Sequence, residues 1–197
     1  MTKLTFLTTP SNSKSYDYTE HTWVLDNQLK LNDVLKLPQF SKFKKCATIQ
    51  LNNNSAAGYK INVIPEYSDK KFMLYLLVYT DPNTNEKYIL KGGKSKNELK
   101  NRSYSAGTEE SWTMRGTPTV TNYVWSQQFR KYGNNFEFYG YAVPTIKHTY
   151  ESFDGEMVTE IVGGHYETEE VKLNNLLKKL KGSNLIGEGA LMNTHKE

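Results

Sequence analysis

Between Tyr75 and Arg102 the chain gathers the side chains that phosphate-ester chemistry requires. Tyr75 and Tyr79 recur at strand spacing in an apolar run, Leu74 to Tyr79. A second β-rich run, Tyr88-Ile89-Leu90, ends in Lys91-Gly92-Gly93-Lys94-Ser95, and Arg102 follows in a polar segment whose one apolar residue is Leu99. Cutting a phosphodiester takes a cation to grip the phosphate, a base for the attacking water, and a metal to polarise the ester. The planar fork of an arginine suits the first task. Carboxylates for a metal come later, from Glu167, Glu169 and Glu170 at the start of a clear helix. Each also has an ordinary reading there, as a first-turn acid favoured by the helix dipole. Gly93-Lys94-Ser95 resembles the end of a phosphate loop. That motif needs a glycine at the position of Tyr88, so the loop reading is excluded.

The elements that must position these residues are legible around them. Asp81-Pro82-Asn83-Thr84-Asn85 breaks the two β-rich runs, which predicts a hairpin. Alternation puts Tyr75, Leu77 and Tyr79 on one face. With the turn centred near Asn83, Tyr79 faces Tyr88 and Tyr75 faces Lys91-Gly92. Asn97 to Arg102 reads as the start of a helix. Residues 103–119, rich in Ser, Thr and Gly, read as an insertion. Helical spacing in Thr121–Tyr132 puts Val124, Trp125, Gln128, Phe129 and Tyr132 on one face, with Gly133 in left-handed geometry ending the helix. Phe136 to Val143 reads as a third strand, and residues 145–164 as irregular. Glu167 to Lys181 is the clearest helix, with Leu173, Leu176, Leu177 and Leu180 toward the core and lysines at its end.

Before the hairpin the signals are weaker. Residues 1–22 read as an arm with one short strand. Asn32-Asp33 reads as a helix cap, and Phe40 and Phe43 among Lys42, Lys44 and Lys45 read either as a basic turn that contacts nucleic acid or as core rings beneath a solvated lysine face. Thr48–Leu51 and Tyr59–Ile64 read as strands that could add to the sheet of the hairpin. No linker-like composition separates this part from the rest. The expected division is an extension, 1–70, packed on a core, 71–197.

Composition narrows the class. A chain of 197 residues can bury one real core. A net charge of +4 allows an acidic partner without requiring one. Cys46 is the sole cysteine, so an intrachain disulfide is excluded and a reducing compartment expected. No apolar run approaches the ~20 residues a membrane helix needs, and the first residues lack signal-peptide length. No membrane association and a cytoplasmic location, in a bacterium or a phage-infected cell, are the expectation. His21, His148, His165 and His195 show no zinc spacing.

The order strand, turn, strand, Gly-Lys-Ser, arginine, strand, acidic helix resembles the GIY-YIG nuclease family over residues 73–193. Phe129 to Phe138 is similar to that family's helix-Gly-Asn-strand junction, Gly93-Lys94-Ser95 to the end of its second motif, and Glu170-Val171-Lys172-Leu173 to its metal-binding helix. Two departures stand out. The first motif has no glycine, and Lys91 replaces the tyrosine of the second.

The resemblance implies an α+β fold with a small antiparallel three-stranded sheet flanked by helices, the 103–119 insertion and the extension carrying target recognition. It implies a Mg2+- or Mn2+-dependent endonuclease acting on double-stranded DNA, with a homo-oligomer as an option. Glu170 would bind the metal, with Glu169 as rival, and Arg102 would hold the phosphate. Tyr75 or Tyr79 would act on the water. Hairpin pairing favours Tyr75 and the family's usual motif spacing favours Tyr79. Lys91 could hold or deprotonate a water if burial and a metal lowered its pKa. Lys94, Tyr104, Trp112 and Arg115 would contact nucleic acid, and Asn193 would match a closing asparagine. The rival reading is a non-catalytic nucleic-acid-binding or assembly protein with a degenerate site, for which Lys91 and the missing glycine speak.

Overall fold

The structure is a computed structural model and describes residues 3–8, 19–54, 58–101 and 128–181. Its centre is the hairpin of β6 (Met73–Thr80) and β7 (Lys87–Ser95). The turn between them is built by Asp81, whose backbone N–H and C=O bond Glu86 and Asn85. Its carboxylate accepts from the Asn83 N–H at 2.9 Å. Asn85 takes φ 58°, a left-handed conformation that asparagine tolerates.

Tyr79 pairs with Tyr88, as the turn predicts. The register then slips between Leu77 and Val78. Val78 faces Ile89 but Leu77 faces Lys91, so Leu90 is an extra residue, a β-bulge. Tyr75 consequently faces Gly93, one position beyond the expected Lys91-Gly92 pair. The strand also continues through Lys91–Ser95 instead of closing before it. The glycines stay in the ladder because neighbours occupy the space a side chain would fill. A β-carbon on Gly92 would stand 2.6 Å from Asn174 Oδ1 and 2.9 Å from Leu177 Cδ1. After β7 comes one 3-10 turn, Leu99–Asn101, at the start of the expected helix.

The expected three-stranded sheet is corrected to six strands, in the order β3-β7-β6-β8-β4-β5 and antiparallel throughout. The added strands are β3 (Leu29–Lys30), β4 (Lys44–Leu51) and β5 (Tyr59–Val63); β8 is Phe136–Ala142. The physical reason lies in β8. Paired only with β6, it would leave a row of backbone groups open along its other side, and β4 closes it while burying Cys46, Ala47 and Ile49.

Strands β1 (Lys3–Thr8) and β2 (Thr19–Val24) form a separate hairpin, so the first residues hold two strands, not one. Strands β9 (Ile146–Glu151) and β10 (Met157–Val162) form another, where sequence predicts irregular chain. Every residue of β9 is exposed, so no buried alternation marks it.

The sheet buries both faces of β6, which explains its unbroken apolar run. Met73, Tyr75, Leu77 and Tyr79 enter one cluster with Leu90, Leu99, Phe129, Phe136 and Phe138. Leu74, Leu76 and Val78 enter the other, with Phe40, Phe43, Leu173 and Leu177. The second cluster is roofed by the long helix Tyr166–Lys181, of which Leu180 is exposed. The short helix Leu31–Leu35 starts before Asn32 and has no side-chain cap; Asp33 instead pairs with Lys36 at 3.0 Å. Gly133 opens a 3-10 turn after the helical residues 128–132 and has no positive φ. Glycine stands there because a β-carbon would lie 3.1 Å from both Ile49 and Leu51. Among the described residues, no helix is long and apolar enough to cross a membrane.

Candidate active site

Tyr75 is wholly buried at the centre of β6, with a glycine beside it on each neighbouring strand, Gly93 on β7 and Gly140 on β8. Its hydroxyl end lies over Gly93, and its ring meets Phe138 edge-on at 5.4 Å. Lys91, facing Leu77, shares this side of the sheet and is only 6% exposed. A lysine is almost never buried so deeply without a specific reason. Tyr79 lies on the same face, further along, between the rings of Tyr132 and Phe136. Burial pushes its phenol pKa up, the charge of Asp81 adds to that, and a hydrogen bond with Asn135 opposes it. Tyr75 is thus the tyrosine whose hydroxyl reaches the Lys91-Gly93 segment, and Tyr79 belongs to an aromatic cluster at the turn end.

The other face carries the acids. Glu170 Oε2 lies 3.1 Å from Lys94 Nζ, and Glu167 Oε1 3.4 Å from the same nitrogen. The ammonium also sits 5.5 Å from the centre of the Tyr166 ring. Burial lowers the Lys94 pKa, but its bonds to the two carboxylates outweigh that and hold it above the usual lysine value. Glu169 pairs along the helix with Lys172 at 2.7 Å. Of the two rival glutamates, Glu170 is therefore the one that meets β7.

Tyr75 and Lys91 thus come together on one face, and Lys94 and Glu170 on the other. What they share is a rim. Strand β3 pairs only with Tyr88 and Ile89, so among the described residues Lys91–Ser95 has β6 on one side and no strand on the other. Arg102, Tyr104, Trp112, Arg115 and Asn193 lie outside the described residues. Leu99, three residues before Arg102, is buried in the cluster on the Tyr75 side.

The sequence does not point to Asn174. It stands one helical turn after Glu170, and its buried Oδ1, over Gly92, has no hydrogen-bond partner. The i, i+4 spacing from Glu170 was the available signal. Gln128, buried at 1%, belongs to the predicted helix face.

Among the described residues no three of His, Cys, Asp and Glu converge as a metal cage. Two carboxylates do converge on Lys94 Nζ. Their donors are all oxygen, which suits a hard cation that keeps most of its ligands as water or phosphate oxygens. Glu170 fits that role, with the lysine ammonium as the competing cation.

No protein-family model matches the chain, and no curated protein matches it by sequence. Among solved structures the fold is similar to that of restriction endonuclease HPY188I in complex with product DNA. The two are 25% identical with a TM-score of 0.51, over 80% of this chain and 85% of the other. This chain has a nuclease-like fold. The likeness covers more of the chain than residues 71–197 hold, so it reaches into the first 70 residues as well.

Proposed function

We propose that this chain is a metal-dependent endonuclease of GIY-YIG type that hydrolyses phosphodiester bonds in double-stranded DNA. One observation carries the reading. A lysine 6% exposed, Lys91, shares a strand face with the Tyr75–Gly93 contact, in a fold similar to a restriction endonuclease bound to product DNA.

The centre straddles the rim of β7. From one face Lys91 and Tyr75 hold the attacking water, and one of them takes its proton. Arg102 grips the scissile phosphate. From the other face Glu170 would hold Mg2+ or Mn2+, which would supply polarisation of the phosphate and stabilisation of the leaving oxygen. Lys94 orients Glu170 and, with Tyr104, meets the DNA backbone. Trp112 and Arg115, in the 103–119 insertion, and the 1–70 extension packed on the 71–197 core read the target.

The rival, a nucleic-acid-binding protein without catalysis, draws on the Lys94–Glu170 pair, in which the carboxylate is already neutralised. Cleavage of supercoiled plasmid and phage DNA in Mg2+, Mn2+ or EDTA separates the two. Metal-dependent cutting that disappears in Glu170→Ala and Lys91→Met supports the enzyme. DNA binding without cutting by the folded wild type supports the rival.

A further inference from the structure

The β9–β10 hairpin leaves the body of the sheet between β8 and the long helix. One of its faces holds its own polar contacts. The Tyr150 hydroxyl donates to Glu160 at 3.1 Å, and His148 stacks on Tyr150 at 5.7 Å. The opposite face makes only one side-chain hydrogen bond among the described residues, Thr149 with Thr159 at 3.0 Å. From root to tip this face reads Lys147 beside Ile161, Thr149 beside Thr159, and Glu151 beside Met157. Ile161 and Met157 are 58% and 67% exposed, and neither Lys147 nor Glu151 has an ion-pair partner among the described residues.

An isolated two-stranded ribbon with exposed apolar residues is marginal in water and calls for a cover. DNA is a poor one. Lys147 is the hairpin's single lysine against Glu151, Asp154, Glu156 and Glu160, so phosphates are repelled. The face is, however, complementary to itself. A two-fold axis across the strands at Thr149 and Thr159 lays each strand on its own copy, reversed. Lys147 then meets Glu151 of the second copy, Ile161 meets Met157 of the second copy, and the threonines meet at the axis. Charge falls on opposite charge and apolar on apolar, twice over, as an isologous contact requires.

We infer that this face of the β9–β10 hairpin is a self-association surface that pairs two copies of the chain about a two-fold axis. Strands of six residues are about 20 Å long, so the footprint is far below the roughly 800 Å² per partner of a stable complex. The dimer is accordingly weak, forming at high micromolar concentration, and salt weakens it further.

Sedimentation equilibrium of the full chain without DNA, from about 5 to about 500 µM at low and high salt, tests this independently of any nuclease activity. The wild type associates with concentration. Lys147→Glu and Glu151→Lys each weaken association at least tenfold, and the two together restore it, because the ion pairs are re-formed with their signs exchanged. Both sites of change are on the surface, and circular dichroism checks that the variants fold. A wild type that stays monomeric throughout, single reversals without effect, or a double reversal that fails to restore association each overturn the proposal.

Discussion

The hydroxyl end of Tyr75 occupies the space where any residue but glycine at position 93 would carry its β-carbon. Both Cζ and Oη of the ring lie 2.5 Å from that point. Gly93→Ala therefore forces Tyr75 to move or the two central strands to part. Overpacking of this kind costs about 1–3 kcal/mol. The expected result is a lower Tm with folding retained, and a fall in DNA cleavage larger than the loss of stability explains. Cleavage at wild-type rate would separate Tyr75 from the chemistry.

Lys91→Met should part function from stability. The length of the side chain is kept, but the partner of the buried lysine is left without it, which lowers stability. A lower unfolding temperature with folding retained is expected, while cleavage drops by roughly 10²-fold or more, the usual weight of a proton-transfer group and more than the loss of stability explains.

The carboxylate of Glu137 takes hydrogen bonds from Lys87 at 2.8 Å and Lys45 at 2.9 Å. Burial raises its pKa, but those two lysines outweigh it and hold the pKa below the usual glutamate value. A group depressed in the folded state contributes stability above its unfolded pKa and loses it as pH falls through the folded one. Denaturant unfolding should therefore show Glu137→Gln well below wild type at pH 7. The gap should narrow once pH falls below the ordinary glutamate range. A gap that is constant from pH 7 to pH 3 would mean the lysines do not act through charge.

Cys46 is fully buried, with its thiol donating to the Phe138 carbonyl at 3.3 Å. Burial pushes its pKa up to about 12. The thiolate is the reactive form, so a thiol reagent at pH 8 should not label the native chain and should label it fully in denaturant. Rapid native labelling would place Cys46 elsewhere.

The sequence reveals most where local chemistry decides the structure. Asp81 and Asn85 announce the turn, and the turn sets Tyr79 against Tyr88. The apolar run of β6 announces burial on both faces. Partnership between distant strands leaves no such mark. Nothing in Lys44–Leu51 says that it will pair with β8, so the sheet appears as three strands until its neighbours are seen. Strand β9 is hidden for a different reason, since exposure on both faces erases alternation. At the candidate site, residue types pointed to Lys91 and Glu170. Their approach from opposite faces depends on the bulge, and periodicity alone does not count an extra residue.

That bulge gives β7 a parity. From Tyr88 to Ile89 the strand keeps step with Tyr79 and Val78; from Lys91 onward it keeps step again, but one residue late. Without the bulge Leu90 would take its place in the ladder opposite Leu77, and every later side chain would turn over. Lys91 would then face Leu76 on the side of the long helix, and Gly92 would face Tyr75. A flat hairpin with its amine opposite Leu77 would carry it two residues after Tyr88, and the bulged one carries it three after. Pairing with Leu77, rather than the count along the sequence from Tyr88, is what fixes the face of the amine.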